Sequence, residues 1–260
     1  MLAAYFRNCY RDTMERAYGH AEAAIVDALK DGGRCLDCGS TDGYWYDQLH
    51  ASIGLTPDRY TGIEWNAEAC ASGQARGLNL IQGDLNERLP FADGEFRCII
   101  ALSVLEHLLY GCRFLQECKR VLAPGGVLVL LTPNIATYFT AVRILLGQMP
   151  SSGPHPDSSL LLASEEPLRV RDDSLTPDVE NDRPVHRHLV VFSYRALSRY
   201  LGMLGFEPVA GRGFGLYPFP VFMQPLLERI DPYHCHQMVF TATQCATSAP
   251  TSTPTTCCAG

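Results

Sequence analysis

The chain has 260 residues, 47% of them hydrophobic and 19% charged, a balance that fits a globular domain and excludes a wholly disordered chain or a coiled coil. Twenty-one basic and 28 acidic side chains leave a formal charge of -7. That sum disfavours nucleic acid as a partner, because such affinity comes mainly from Lys and Arg meeting phosphates.

Met1 to Tyr10 carries Arg7 and only a short apolar stretch, so no secretory signal is read there. Arg11 to Lys30 has Met14, Ala17, Ala21, Ala24, Ile25 and Leu29 at helical spacing, and Asp31-Gly32-Gly33 ends the run. Strands are predicted at Arg34–Gly39, Arg59–Glu64, Leu78–Gly83, Phe96–Leu102 and Gly126–Thr132. Helices are predicted between them at Gly43–Ala51, Asn66–Ala75 and Val104–Leu122. Near-continuous apolar strands alternating with helices argue an α/β fold, with a parallel sheet covered on both faces. A helix is expected over Asn134–Met149.

Residues 148–187 are rich in Pro and Ser and carry acidic pairs, so they read as a lid-like insertion. A helix at Ser193–Leu204 and strands near Phe206–Ala210 and Gln237–Thr243 follow. The apolar run Phe214–Leu227 is broken by Pro218, Pro220 and Pro225, and no stretch is long and uncharged enough to cross a membrane. Residues 246–260 hold no charge and are expected to be a disordered tail after a domain spanning 1–245. A cytoplasmic protein is expected.

The cysteines carry little function in this reading. Cys35 and Cys38 lie in a strand, where positions i and i+3 point to opposite faces, so they read as packing residues. His234-Cys235-His236 lacks a second ligand pair at metal spacing.

The informative stretch is Arg34 to Gly43, a buried strand running into a turn and a helix. Ligands bind at such strand ends in open α/β sheets. Gly39 permits the tight turn and Gly43 a close approach of the helix start. The next strand ends in Glu64, about 20 residues past Gly43, where an acid binds two ribose hydroxyls. The third strand runs into Gly83-Asp84, and a carboxylate there suits an adenine amino group. Dinucleotide sites want G-x-G-x-x-G, but Thr41 takes the middle position here, and Asp37 and Asp42 repel a pyrophosphate. A cationic cofactor without phosphates fits better, and S-adenosylmethionine (SAM) is one.

Here the chain resembles the class I SAM-dependent methyltransferases, in the small-molecule branch near the ubiquinone-biosynthesis O-methyltransferases. The first motif matches Cys35 to Gly43, the ribose acid Glu64 and the adenine-side acid Asp84. Leu89 to Phe96, Val104-Leu105-Glu106-His107 and Val121 to Gly126 follow in family order. Thr41, for the middle glycine, and Arg97, for a usual Asp, depart from the pattern. The resemblance covers about Arg11 to Thr243. It implies a Rossmann-like three-layer sandwich whose seven-stranded sheet is mostly parallel with the last strand antiparallel. It also implies SAM contacts from Asp37, Gly39, Ser40, Thr41, Gly43, Glu64, Trp65, Asp84, Leu85 and Ser103.

Methyl transfer is an in-line displacement in which the protein mainly orients donor and acceptor. A small-molecule oxygen acceptor is expected, and a base helps to ionise it. His107, at the lip of the cleft, and His188, just before the later helix, are the candidates. His188 also reads as an anchor between lid and core. Glu106, His107 and His188 bear metal-ligand side chains, but Ser103 stands where a fourth donor is wanted, so no metal is expected. The stretch after strand four lacks the Asp/Asn-Pro-Pro-aromatic run of amino- and amide-directed enzymes. Tyr5, Phe6, Tyr10, the Asn134–Met149 helix, the insertion and Phe214–Phe222 are the candidate acceptor surfaces. Their apolar character suggests a hydrophobic acceptor, with plain packing over the sheet as the rival reading. The other rivals are a nucleotide-cofactor oxidoreductase and a non-catalytic binding protein on the same fold.

Overall fold

A computed structural model describes residues 2–154 and 187–245. The central part of the expected insertion and the whole expected tail lie outside these residues. Seven strands form one sheet: β1 Cys35–Cys38, β2 Tyr60–Glu64, β3 Leu80–Gln82, β4 Phe96–Leu102, β5 Leu122–Pro133, β6 Phe206–Phe214 and β7 Gln237–Gln244. Their order is β3-β2-β1-β4-β5-β7-β6. Strands β1 to β5 pair in parallel, and β7 runs antiparallel to both β5 and β6. The expected seven-stranded sheet with one antiparallel last strand is thus present.

Helices pack on both faces. On one side lie α1 (Leu2–Leu29), α2 (Tyr44–Ile53) and α3 (Ala67–Ala75). Ala17, Ala21, Ile25 and Leu29 of α1 bury against Cys35, Tyr60, Ile100, Val129 and Val239. On the other side lie α4 (Gly111–Val121) and α6 (Tyr194–Met203), whose Phe114, Leu115, Leu197 and Leu201 bury against Leu36, Ile99, Leu128 and Phe240. Fully burying such a Leu or Phe side chain contributes about 1.5–3 kcal/mol. Cys35 belongs to the first layer and Cys38 to the second, so the two thiols do point apart as their spacing implies. Two further described helices are α5 (Tyr138–Leu145), which follows β5, and α7 (Gln224–Ile230), which follows β6.

Two local readings need correction. The helix expected over Val104–Leu122 is broken: Leu105–His107 form one 3-10 turn, and α4 begins only at Gly111. Leu108 is extended (ψ 135°), which stops the first turn from propagating. The helix expected over Asn134–Met149 spans only Tyr138–Leu145, because Thr137 caps it by accepting from the Thr140 amide. Outside these readings, Gln224–Ile230 forms a helix with Pro225 in its first turn. Proline in the first turn costs no hydrogen bond, since its N–H would have no helical partner anyway.

The first two strands are packed without slack. A Cβ on Gly62 would lie 2.4 Å from Leu80 Cδ2 and 2.5 Å from Ser40 Oγ. Gly62→Ala is therefore expected to destabilise the fold by about 1–3 kcal/mol. A lowered urea midpoint at unchanged slope checks it; an unchanged midpoint would show that β1 and β2 separate easily.

Candidate cofactor and acceptor site

The sheet order reverses between β1 and β4, and the first four strand ends meet there. After β1 the chain turns through Gly39 (φ 75°), Thr41 (φ 49°) and Gly43 (φ 101°). Left-handed backbone is cheap for glycine and costs a Cβ-bearing residue roughly 1–2 kcal/mol. Thr41 is held there by its own bonds: its amide donates to Glu64 Oε2 at 2.8 Å and its hydroxyl to the Ser40 carbonyl at 2.8 Å. The departure from glycine is thus accommodated by Glu64. The second oxygen of Glu64 accepts from the Asn66 amide at 2.8 Å, and Asn66 in turn caps α3. One carboxylate therefore ties the turn after β1 to the start of α3. An ionised carboxylate has about four acceptor positions, so two amides leave capacity for ribose hydroxyls.

The Gly83 amide donates to the Glu64 carbonyl, which brings Asp84 beside this turn. Asp84 accepts from the Asn86 amide and side chain. Leu85 is buried next to it, whereas the Trp65 ring is 61% exposed. Val104 packs on Gly39, so the end of β4 adjoins the turn. Ser103 is left-handed (φ 56°), and its hydroxyl lies 3.3 Å from the Tyr18 hydroxyl. Ser40 behaves differently from expectation. Its side chain tucks against Gly62, buried and without a hydrogen-bond partner among the described residues, so only its backbone is available to a ligand in this arrangement.

Asp37 is fully buried and accepts from the Tyr60 hydroxyl at 2.5 Å. Burial pushes its carboxyl up from an ordinary 3.8 to about 7, partly offset by Tyr60, with the Glu64 charge adding to the rise. Between pH 4 and 7 the folded chain then holds a proton that the unfolded chain has lost. This contribution to stability is present below pH 4 and disappears as pH rises towards 7. Asp37→Asn removes the titration, so between pH 5 and pH 8 the variant is expected to lose at least about 1 kcal/mol less stability than the wild type. Parallel pH profiles of unfolding free energy would contradict it.

Arg97, at the second departure from the family pattern, has a structural task. Its guanidinium donates to the carbonyls of Ala28 and Gly125, joining the end of α1 to the start of β5.

Beyond Ser103 lies a polar cluster. Glu106 is buried and accepts from the Thr132 hydroxyl at 2.9 Å. Desolvation pushes its carboxyl up to about 7, offset by its own backbone N–H and by Thr132. His107 stands in the 3-10 turn and not at a helix start. Its Nδ1 lies 3.0 Å from the Arg187 carbonyl, and His188 Nδ1 lies 2.6 Å from the Ser152 carbonyl. The two rings meet edge to face at 5.1 Å. Carbonyls only accept, so each Nδ1 donates its proton there. The structure thus brings both predicted histidines together with Glu106.

Sequence reading missed two aromatic neighbours. Tyr18 of α1 reaches the end of β4 and packs on Trp45 of α2 at 5.9 Å. Both lie within amphipathic helices, where an aromatic residue reads first as core. His236 was noted only for its place in a His-Cys-His tract. It is half-buried, its ring is pushed down to about 4 by burial and by His188, and it packs on Tyr10 and Tyr217. His234 instead faces Asp231, so the two histidines of that tract serve different neighbours. Phe6 completes the layer by packing on Phe139 and Tyr217.

The sequence profile of the Methyltransf_23 family, a methyltransferase domain, matches residues 10–210. The chain belongs to this family. A probable S-adenosylmethionine-dependent methyltransferase of Mycolicibacterium smegmatis is 34% identical over 105 residues, covering 40% of this chain and 39% of that protein. A probable phthiotriol/phenolphthiotriol dimycocerosates methyltransferase of Mycobacterium ulcerans is 29% identical over 196 residues, covering 73% and 70%. A putative methyltransferase solved with the Haloferax volcanii Trm112 activator shares the fold at a TM-score of 0.56 and 16% identity, over 94% of this chain and 97% of that one. The matched segment spans only about two fifths of the first curated relatives' length. Those relatives are named as dependent on S-adenosylmethionine. The chain's donor set suits that cofactor, since carboxylates stand at or just beyond successive strand ends, where the hydroxyls and amino group of a nucleoside would find acceptors. No described helix of the methyltransferase is long and apolar enough to cross a membrane.

Proposed function

We propose that the methyltransferase moves the methyl group of SAM to an oxygen of a small, apolar acceptor. The observation that carries this reading is the layer of Phe6, Tyr10, Phe139, Tyr217 and His236 rings, whose His236 lies near enough to the cluster of His107, His188 and Glu106 to feel His188. An apolar wall ending in a few polar groups is the usual make-up of a small-molecule site. The relative named for phthiotriol and phenolphthiotriol dimycocerosates supports an acceptor of this kind.

In this reading Glu64 holds the ribose and Asp84 the adenine amino group. Trp65 and Leu85 flank the base, and the backbone of Gly39 to Gly43, with Asp37 behind it, faces the methionine part. Ser103 sits at the methyl-bearing end, positioned by Tyr18. SAM supplies an electrophilic methyl on a sulfonium. His107 and His188 lie where an acceptor hydroxyl must be ionised and are the activating residues. Transfer of label from methyl-labelled SAM to a panel of acceptors tests the reading. Phenols and long-chain alcohols are expected to take up label, and sugars are not. Turnover of a sugar with no turnover of any apolar acceptor would sink it.

A further inference from the structure

We infer that a groove between α1, β6, β7 and α7 binds a small phosphate-bearing molecule at a site separate from the cofactor turn. The groove has a volume of about 440 Å3 and is lined by His20 of α1, Arg212 of β6, Thr241 of β7, and Glu228 and Arg229 of α7. That volume falls within the range of small-molecule sites. Strand β6 is the sheet edge opposite β3, so the groove stands apart from Glu64 and Asp84, which lie at or just beyond the ends of β2 and β3.

The charges of the groove are unbalanced. Arg212 and Arg229 are exposed, and neither has an ion pair or hydrogen bond among the described residues. Glu228, an acid on the groove wall, is already engaged: its carboxylate accepts from both terminal nitrogens of Arg16 and from the Gly215 amide. Two guanidiniums therefore line one cavity without a counter-ion. Like charges so placed repel, and an anion between them turns the repulsion into attraction.

The groove is built on a packed ring. Phe214 is 2% exposed, and three side chains gather around it. The Arg212 guanidinium lies 5.2 Å from the ring centroid, that of Arg16 5.9 Å, and the His20 ring 5.6 Å. A guanidinium stacked on a ring keeps its in-plane N–H groups for hydrogen bonds, and its fork matches phosphate oxygens. Burial and the Arg212 charge push the His20 imidazole below its ordinary value, so the two groups feel each other across the groove. Thr241 adds a hydroxyl to the wall. Guanidiniums from two separate elements suit a doubly charged oxyanion, since a single carboxylate is satisfied by one fork. Phosphate held by both would join α7 to β6, in parallel with the Arg16–Glu228 pair that already joins α7 to α1.

The test titrates the full chain by calorimetry, at constant low ionic strength, with inorganic phosphate, glycerol phosphate and acetate. One saturable site per chain is expected for the two phosphates and none for acetate. Arg212→Gln and Arg229→Gln are each expected to weaken phosphate binding about tenfold or more, the loss of a charge-assisted hydrogen bond. Arg199→Gln removes the same charge from an exposed position on α6 and is expected to leave the affinity within about twofold. Thermal melts without phosphate confirm that the variants are folded. Saturating S-adenosylhomocysteine (SAH) is expected to leave phosphate binding unchanged, which separates this site from that of the cofactor. The inference is overturned if the wild type shows no saturable phosphate binding, if SAH displaces phosphate, or if acetate binds as tightly. Equal phosphate affinity in wild type and the folded Arg212 and Arg229 variants, or an equal loss in Arg199→Gln, overturns it as well.

Discussion

Glu64→Ala is expected to weaken SAH binding by about a hundredfold or more. Each hydrogen bond to an ionised acceptor is worth about 1.5–3 kcal/mol, and the carboxylate faces two ribose hydroxyls in the proposed complex. Glu64 has a second task, because it already accepts from the amides of Thr41 and Asn66. Its loss frees the left-handed Thr41 from the partner that accommodates it, so the variant should also lose order in the cofactor turn. Glu64→Gln keeps one acceptor oxygen and is expected to fall between wild type and alanine. Calorimetry gives the affinities, and thermal melts separate lost contacts from a collapsed turn. Undiminished SAH affinity in a folded Glu64→Ala variant would remove the ribose role.

The largest expected loss of stability comes from Glu228→Ala. Glu228 is 4% exposed and accepts from both terminal nitrogens of Arg16, at 2.6 and 2.9 Å, and from the Gly215 amide at 2.7 Å. Arg16 is further tied to Asp12 and Gln224. This network clamps α7 and the loop after β6 onto α1, next to the Tyr217–Thr13 hydrogen bond. Removing one partner of a buried ion pair leaves the other desolvated without compensation, which costs about 3–5 kcal/mol. Asp12 and the partial exposure of Arg16 place the expected value near the lower figure. A fall in the urea midpoint at unchanged slope checks it. A change below about 0.5 kcal/mol would mean that the clamp is an ordinary surface pair.

The strand–helix alternation was legible because both periods are written locally. Residues of β1, β2 and β4 are buried on both faces and read as apolar runs, and Ala17, Ala21, Ile25 and Leu29 mark one face of α1. The candidate cofactor residues could be named for the same reason: Gly39, Glu64 and Asp84 sit at or just beyond strand ends, at spacings that the fold sets. The break at Leu108–Tyr110 was not legible, since Val104–Leu122 keeps a helical pattern and the backbone there is decided by contacts with the segment around Leu189. Nor was the clamp of Arg16 on Glu228, which joins residues more than 200 positions apart. Glu106, His107 and His188 could be named as candidates, yet only the fold shows that their ligand atoms converge. Ser40 read as a cofactor contact because it lies in the motif, yet its side chain occupies the space that the missing Cβ of Gly62 leaves open.

The most direct test of the account is a calorimetric titration of the wild-type chain with SAH and, separately, with NADH. The carboxylates at the strand ends and the acidic turn predict saturable SAH binding at one site per chain and no measurable NADH binding. Binding of NADH in preference to SAH, or of neither nucleoside by a folded chain, would contradict it.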